Sequence, residues 1–162
     1  MDPLETIGTG EITLRLVVAV VVGWLLGLNR EIHGKSAGPR THGLVALGAA
    51  LAAMLTLQLR DGYYVPQMDA LSRVVQGILT GIGFLGAGVI LRVNEGRTVG
   101  LTTAATIWTC AVMGVTCGLG HWSIVAISTG IVLIVLILGN PAERFLTGVF
   151  KKEPVKTAPK DD

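Results

Sequence analysis

The side chains best suited to chemistry in this chain are concentrated in a short polar segment, residues 30–42, between two apolar runs. Four of them are charged and lie within eleven residues. Guanidinium and ammonium groups in this position suit the phosphates of lipid headgroups or the carboxylates of a protein partner. The candidate functional residues of this polar segment are Arg30, Glu31, Lys35, Arg40, Thr41 and His42.

Two interpretations of the polar segment remain open. In the first, its charges only anchor the chain at the membrane surface, a role that needs no particular fold. In the second, the segment folds specifically, for recognition or as a structural network, because Glu31 stands beside Arg30 and two glycines and Pro39 shape the chain there. His42 can titrate near neutral pH. A metal site would need more ligands than the segment supplies, so we expect no metal.

A second group of polar side chains lies along the third apolar run. If a helix begins near Asp69, four of them fall with Gly83 within about 80° of arc. Asp69 and Arg73 are then four residues apart, the spacing at which a carboxylate and a guanidinium pair. The next two carry hydrogen-bonding groups to the depth of the lipid, where unsatisfied polar atoms are costly. This third-run stripe consists of Asp69, Arg73, Gln76 and Thr80.

Threonines on the fourth apolar run form a matching stripe that includes Thr102 and Thr106. One hypothesis is a functional polar groove between the third and fourth runs. The alternative is that the threonine hydroxyls bond backbone carbonyls and hold helices together, as they often do in membranes.

The composition indicates a chain that folds in lipid. Hydrophobic residues make up 51% of the 162 residues and charged residues only 15%, whereas a soluble domain carries about 25% charge. The mean hydropathy is +0.64. A net charge of +2 and an aromatic content of 5% do not favour a nucleic-acid partner.

Five apolar runs have the length of a membrane-spanning helix or come close to it. No Lys or Arg precedes the first run, so we expect a retained helix rather than a secretory signal, with Arg15 reaching outward to the surface. We predict an all-α, polytopic transmembrane bundle over residues 1–140. A short amphipathic cytoplasmic helix and a polar tail are expected over 141–162. The five runs are about Ile12–Leu28, His42–Leu59, Val74–Leu91, Leu101–Leu119 and Trp122–Leu138.

The distribution of basic residues predicts the orientation of the bundle. Lys and Arg are in excess in cytoplasmic loops of membrane proteins. If five spans alternate, one side collects ten basic residues and the other holds only Arg15, Arg60 and Arg73. We therefore expect the N-terminus outside and the C-terminus inside.

Glycines recur at spacings typical of closely packed membrane helices. Those on the third run lie on two sides of a helix, which predicts a central position for that span. The pair on the first run has no obvious internal use and predicts a symmetric dimer. A dinucleotide-binding function is rejected for Gly81-x-Gly83-x-x-Gly86, because the motif lies inside a span and lacks the required acid. The packing glycines are Gly23, Gly27, Gly77, Gly81, Gly83, Gly86 and Gly88.

Four blocks of this sequence stand out in order: Gly27–His42 followed by Leu44–Gly48, Asp69 with Ser72-Arg73, Gly81–Gly88 and Gly100–Trp108. Together they closely resemble the MgtC/SapB family of bacterial inner-membrane proteins, over about Leu16–Gly120. The resemblance implies a link to magnesium limitation and intracellular survival, and modulation of other membrane machinery rather than magnesium transport. Longer members carry a C-terminal soluble domain that is expected to be missing here.

These features predict a membrane protein that is not an enzyme and uses no cofactor, since no catalytic triad, metal cluster or phosphate loop supports catalysis. We expect it to bind membrane lipids, another integral membrane protein and a second copy of itself. The alternative function is a transporter or channel for Mg²⁺ or another small ion or solute. The scarcity of intramembrane carboxylates speaks against it, because Mg²⁺ prefers carboxylate oxygens.

Overall fold

The computed structural model describes residues 7–60, 63–93 and 97–150, and within them the side chains of 7–58, 65–90 and 98–139. This part of the chain folds as five helices with short connections, so the predicted all-α transmembrane bundle is confirmed. Four of the five are long and apolar enough to cross a membrane. The remaining one, the second helix of the chain, has 16 residues and extends about 24 Å. The helices are α1 (Thr9–Ile32), α2 (Pro39–Met54), α3 (Met68–Val89), α4 (Leu101–Gly118) and α5 (Trp122–Phe150).

The turn between α1 and α2 is set by Gly34 and Pro39. Gly34 adopts a left-handed conformation, with φ of 63°, which ends α1. The N–H of Lys35 donates to the Arg30 carbonyl oxygen at 3.0 Å, and the Gly34 N–H donates to that of Glu31 at 2.9 Å. This pair of bonds is the Schellman motif. Pro39 begins α2, where its missing N–H has no helical partner to lose.

The backbones of α1, α2 and α4 approach each other closely. A Cβ atom added at Gly23 would lie 2.5 Å from the His42 carbonyl oxygen, and one at Gly27 would lie 2.6 Å from the Pro39 Cα. On another side of α2, Gly114 of α4 contacts the backbone of that helix just as closely. Small residues permit this approach, and van der Waals packing then stabilises the helices in lipid.

The central helix of the described bundle is α4, so the central position predicted for the third span is wrong. In its most apolar stretch, 56% of the α4 residues are buried, against 11% for α3. One face of α3 packs against alanines of α2 and α4 and the opposite face is exposed. Of the α3 glycines, only Gly86 packs against a neighbouring helix. The other contacts of α3 are made by larger apolar side chains. They are Leu71, Val75, Ile78 and Ile82.

Two β-hairpins shift the ends of the second and third spans from their predicted positions, although α3, with 22 residues, is longer than predicted. Strand β1 (Leu57–Arg60) pairs antiparallel with β2 (Tyr63–Pro66), so α2 ends at Met54. Strand β3 (Leu91–Val93) pairs antiparallel with β4 (Arg97–Val99) after α3. Counting apolar residues alone does not separate a short strand from the end of a helix.

The last helix continues further than the sequence predicts. α5 runs through Pro141 to Phe150 as one helix, so no break in secondary structure marks the boundary expected between residues 140 and 141. It packs on α1 and α4 through side chains that include Val125 and Leu136. The expected amphipathic face and residues 151–162 lie outside what is described.

Candidate functional site

Arg30 places a positive charge inside the bundle. It lies in the last turn of α1 with 5% of its surface exposed. Its Nη2 donates a 2.6 Å hydrogen bond to Oγ1 of Thr103, in the first turn of α4, whose exposed fraction is 1%. No group of the described chain accepts from the Nε of Arg30. Because a guanidinium keeps its proton, this charge is permanent.

His42 is fully buried in the first turn of α2. Its Nδ1 lies 3.2 Å from the Gly38 carbonyl oxygen. A carbonyl only accepts, so Nδ1 carries the proton in this contact, and Nε2 of the neutral ring is an acceptor. Nε2 has no partner within the described chain. The His42 carbonyl oxygen accepts a 3.2 Å hydrogen bond from the Cys110 thiol of α4.

Five residues therefore form a buried polar cluster where α1, α2 and α4 meet. Thr106 completes it, donating at 2.6 Å to the Thr102 carbonyl oxygen. Within the described residues, no group of three or more His, Cys, Asp or Glu could hold a metal. A charged side chain inside a membrane is costly and usually serves a function. The buried polar cluster consists of Arg30, His42, Thr103, Thr106 and Cys110.

A second buried guanidinium lies near the other end of α1. Arg15 was predicted to reach outward, but it points into the bundle with 8% of its surface exposed. Its Nε pairs with Glu11 at 2.7 Å, and its Nη1 donates to the Gly118 carbonyl oxygen at 2.8 Å. The carboxylate and the carbonyl together replace the water that an outward orientation would have supplied.

The rest of the polar segment faces outward. Glu31, Arg40 and Thr41 line a cleft of about 700 Å³ between α1 and α2. Lys35 is exposed in the turn between these helices. The segment is thus divided between two sites, with Arg30 and His42 inside the bundle and the other polar residues on its surface.

The third-run stripe lies on the exposed face of α3, away from α2 and α4. Among the side chains that the structure describes, the only ion pair joins Arg15 and Glu11, so the predicted pairing of Asp69 with Arg73 is not formed. The Thr80 hydroxyl donates to the Gln76 carbonyl oxygen at 2.8 Å. The polar groove predicted between the third and fourth spans is therefore wrong for the described chain.

The threonines of the fourth run bond backbone carbonyls, as the alternative interpretation of that stripe expects. Thr106, Thr109 and Thr116 each donate to the carbonyl oxygen four residues earlier in α4. Thr102 is exposed and supplies the carbonyl that Thr106 uses. These hydroxyls satisfy the helix backbone rather than facing α3 as a shared polar surface.

The glycines fall into two groups. Gly23 and Gly27 pack against α2, so the face from which a dimer was predicted is already covered within the chain. Gly86 of α3 faces Ala104, and a Cβ atom added at this glycine would lie 3.5 Å from the Ala104 Cβ. A Cβ would meet nothing within 4 Å at the remaining α3 glycines, which are Gly77, Gly81, Gly83 and Gly88.

Thr103, Cys110 and Arg15 are site residues that the sequence interpretation missed. Thr103, Thr106 and Cys110 are spaced by three and four residues, which places them on one helical face. That spacing was a usable signal, because it continues into Gly114 and the core of α4. For Arg15, the sequence offered only Glu11 one turn earlier, a spacing that suits an ion pair.

Comparison with known proteins agrees with the sequence resemblance. The model of the MgtC family matches residues 16–145. Protein SrpB of Synechococcus elongatus is 44% identical over 132 residues, which cover 77% of this chain and 72% of SrpB. Protein MgtC of Salmonella typhimurium is 42% identical over 126 residues, 77% of this chain and 51% of that protein. YhiD of Escherichia coli, which carries the name of a proposed magnesium transporter, is 37% identical over 133 residues. These residues cover 79% of this chain and 60% of YhiD.

The chain thus spans about half to three quarters of the length of these relatives. No solved structure matches it.

Proposed function

The chain belongs to the MgtC family, and from this premise we propose that it is a non-enzymatic protein of the bacterial inner membrane that serves magnesium homeostasis by binding and modulating other membrane proteins. The name of YhiD supports the link to magnesium. The excess of basic residues near the polar segment supports an orientation with the N-terminus outside and the C-terminus inside.

One observation carries the proposal of a protein partner: the exposed polar face of α3. Gln76 and Thr80 lie within a helix whose length and composition suit a membrane span, yet they point away from the bundle. Facing lipid alone, the Gln76 amide would keep only a long hydrogen bond of 3.5 Å from its Nε2 to the Ser72 hydroxyl, and its carbonyl oxygen would have no donor. Gly83 shares the arc of these residues, and a Cβ atom added there would meet nothing within 4 Å, so another helix can approach closely at this position. A polar, small-residue face of this kind suits a transmembrane helix of another protein.

The same face suits a second copy of this chain. Asp69 and Arg73 carry opposite charges and both are exposed, so two α3 helices related by a two-fold axis present complementary groups to each other. Gln76 carries both a donor and an acceptor, and its amide can pair with an identical amide. We propose α3 as the surface for self-association, in place of the covered face of α1.

The buried polar cluster favours a role in modulating other proteins and disfavours conduction of Mg²⁺ through the bundle. Arg30 is a permanent cation at the junction of α1, α2 and α4, and no carboxylate pairs with it among the described side chains. At low effective dielectric, a buried positive charge repels a divalent cation strongly. A path through this part of the bundle would have to overcome that repulsion.

Site-specific photo-cross-linking tests this function. A photoreactive amino acid is placed at Thr80, and at Ile131 as a control, since Ile131 is an exposed apolar position on α5. In membranes of cells grown at limiting Mg²⁺, we expect Thr80 to yield adducts with an integral membrane protein or with this chain, and Ile131 to yield mainly lipid adducts. Adducts with lipid alone from both positions would contradict the proposal.

The name of YhiD also favours a second candidate, transport of Mg²⁺. Purified protein in sealed vesicles that contain a Mg²⁺-sensitive dye distinguishes the two functions. We expect no flux above that of empty vesicles. Saturable uptake that is lost in an Arg30 variant which still folds would establish transport instead.

A further inference from the structure

The cleft between α1 and α2 combines an apolar wall with a charged mouth. Val21, Trp24, Leu25 and Leu28 of α1 line its wall. The mouth lies where α1 ends and α2 begins, at the level of the polar segment. Tryptophan is enriched where membrane hydrocarbon meets the headgroups, so Trp24 is consistent with a mouth at that depth. The polar side chains of the mouth are Glu31, Arg40 and Thr41.

The apolar surface continues from the cleft along α1 towards the middle of the membrane. Two smaller hollows continue this surface. One, of about 330 Å³, shares Trp24 with the cleft. The other, of about 280 Å³, shares Val20 and Leu47 with the first hollow and reaches Leu16. The twelve residue steps from Leu28 to Leu16 extend about 18 Å along a helix. Half of a hydrocarbon core is roughly 15 Å thick. The surface therefore has the length of an acyl chain in one leaflet.

The two charges at the mouth are opposite and unpaired. Glu31 and Arg40 both line the cleft and are exposed, but the described ion pairs do not include them. The Glu31 carboxylate lies beside Gly38, the residue before α2, since a Cβ atom added there would be 2.7 Å from its Oε2. The mouth thus offers one cation, Arg40, and one anion, Glu31. An anionic ligand would satisfy only the Arg40 end and would be repelled by Glu31.

We propose that this cleft binds phosphatidylethanolamine. The phosphate accepts charge-assisted hydrogen bonds from Arg40 and from the Thr41 hydroxyl, the ammonium donates to Glu31, and one acyl chain lies along Trp24 and Val21. Phosphatidylcholine has no N–H to donate to Glu31. Phosphatidylglycerol has no cation and leaves Glu31 unpaired. This site is separate from the α3 surface, so it stands or falls independently of the proposed function.

Native mass spectrometry of the delipidated protein in mild detergent tests the proposal directly. The protein is titrated with phosphatidylethanolamine, phosphatidylglycerol and phosphatidylcholine that carry identical acyl chains. One charge-assisted hydrogen bond at a partly solvated site predicts a preference for phosphatidylethanolamine of roughly three- to tenfold. Equal binding of the three lipids, or a preference for phosphatidylglycerol, would overturn the proposal without any variant being needed.

Variants then assign the contacts. Glu31→Gln should reduce phosphatidylethanolamine binding to the level of phosphatidylcholine, and Arg40→Gln should weaken binding of all three lipids. Asp69→Asn and Arg73→Gln make the same changes on exposed residues of α3 and should leave the preference unchanged. A preference that persists in Glu31→Gln refutes the assignment.

Val21→Trp tests what occupies the cleft. The larger side chain narrows the cleft and should weaken lipid binding. If the variant abolishes a dimer and leaves lipid binding intact, a second copy of the chain occupies the cleft and the proposal is wrong.

Discussion

The side chain of Arg30 crosses from the last turn of α1 to the first turn of α4, where its Nη2 donates to the Thr103 hydroxyl at 2.6 Å. The two residues are 73 positions apart in the sequence. The bond fixes the end of α1 against the central helix, immediately beside the turn that carries Glu31 and Lys35. It therefore couples the interior of the bundle to its polar surface, and changes at Thr103 are expected to reach that surface.

Thr103→Val tests this coupling. The valine has nearly the same shape but cannot accept a hydrogen bond, so the Arg30 guanidinium loses a buried partner, at an expected loss of about 1–3 kcal/mol in stability. Thermal unfolding in detergent should show a lower midpoint. Thr103→Ser retains the acceptor and should behave almost as the parent.

Thr102→Val is the matched control for that substitution. Thr102 is the preceding residue and is exposed, and only its backbone carbonyl is used by Thr106. We expect little change in its unfolding midpoint. An equal loss in both variants would show that β-branched apolar substitution, rather than the bond to Arg30, causes the effect.

Gly23→Ala and Gly81→Ala should have different consequences for folding. An added methyl group at Gly23 meets the backbone of α2, so we expect overpacking of about 1–3 kcal/mol and a lower yield of folded protein. At Gly81 the methyl group meets nothing within 4 Å, and alanine has the higher helix propensity. Comparable losses of monomer stability at both positions, measured in detergent, would contradict the close packing of α1 on α2.

Gly81→Leu separates folding from association. Gly81 lines a hollow of about 370 Å³ between α3 and α2, and a Cβ atom there meets nothing within 4 Å, so the isolated chain tolerates the larger side chain. The leucine nevertheless widens α3 next to Thr80 and blocks a helix that docks there. We therefore expect normal unfolding in detergent together with loss of the Thr80 cross-links in membranes. Cross-links at parental level in this variant would exclude a close helix contact through Gly81.

Asp69→Ala should change the stability of the isolated chain very little. Asp69 is exposed and pairs with no described side chain, so its removal is expected to stay within about 0.5 kcal/mol of the parent. Millimolar Mg²⁺ should leave the unfolding midpoints of both proteins unchanged. A midpoint that rises with Mg²⁺ only in the parent would identify Asp69 as a Mg²⁺ ligand.

Single cysteines at Ser36 and Gln58 test the orientation. Both positions are exposed, and they lie in connections at opposite ends of α2. The buried Cys110 and Cys117 are first replaced by alanine. A membrane-impermeant thiol reagent applied to intact spheroplasts should label the cysteine at position 58 and spare the one at position 36. The reverse pattern would invert the bundle and place the polar segment outside.

The number and type of the helices could be predicted from the sequence because they depend on local properties. Long apolar runs must hydrogen-bond their own backbone in lipid, and Gly34 and Pro39 end and begin helices by their own backbone preferences. The residues of the polar segment could be identified for the same reason. Their charges interrupt the apolar pattern whatever the rest of the chain does.

Which way each side chain faces was decided only by the tertiary structure. Arg15 and Arg30 turn inward because Gly118 and Thr103, remote in the sequence, offer them hydrogen-bond acceptors. Gly23 and Gly27 contact the α2 backbone directly, whereas Gly77 and Gly81 are separated from α2 by a hollow of about 370 Å³. A spacing of four residues gives a helix a small-residue face, but the partner of that face depends on how the five helices are arranged. Lipid tails are as apolar as the helix faces, so hydrophobicity alone does not select that arrangement.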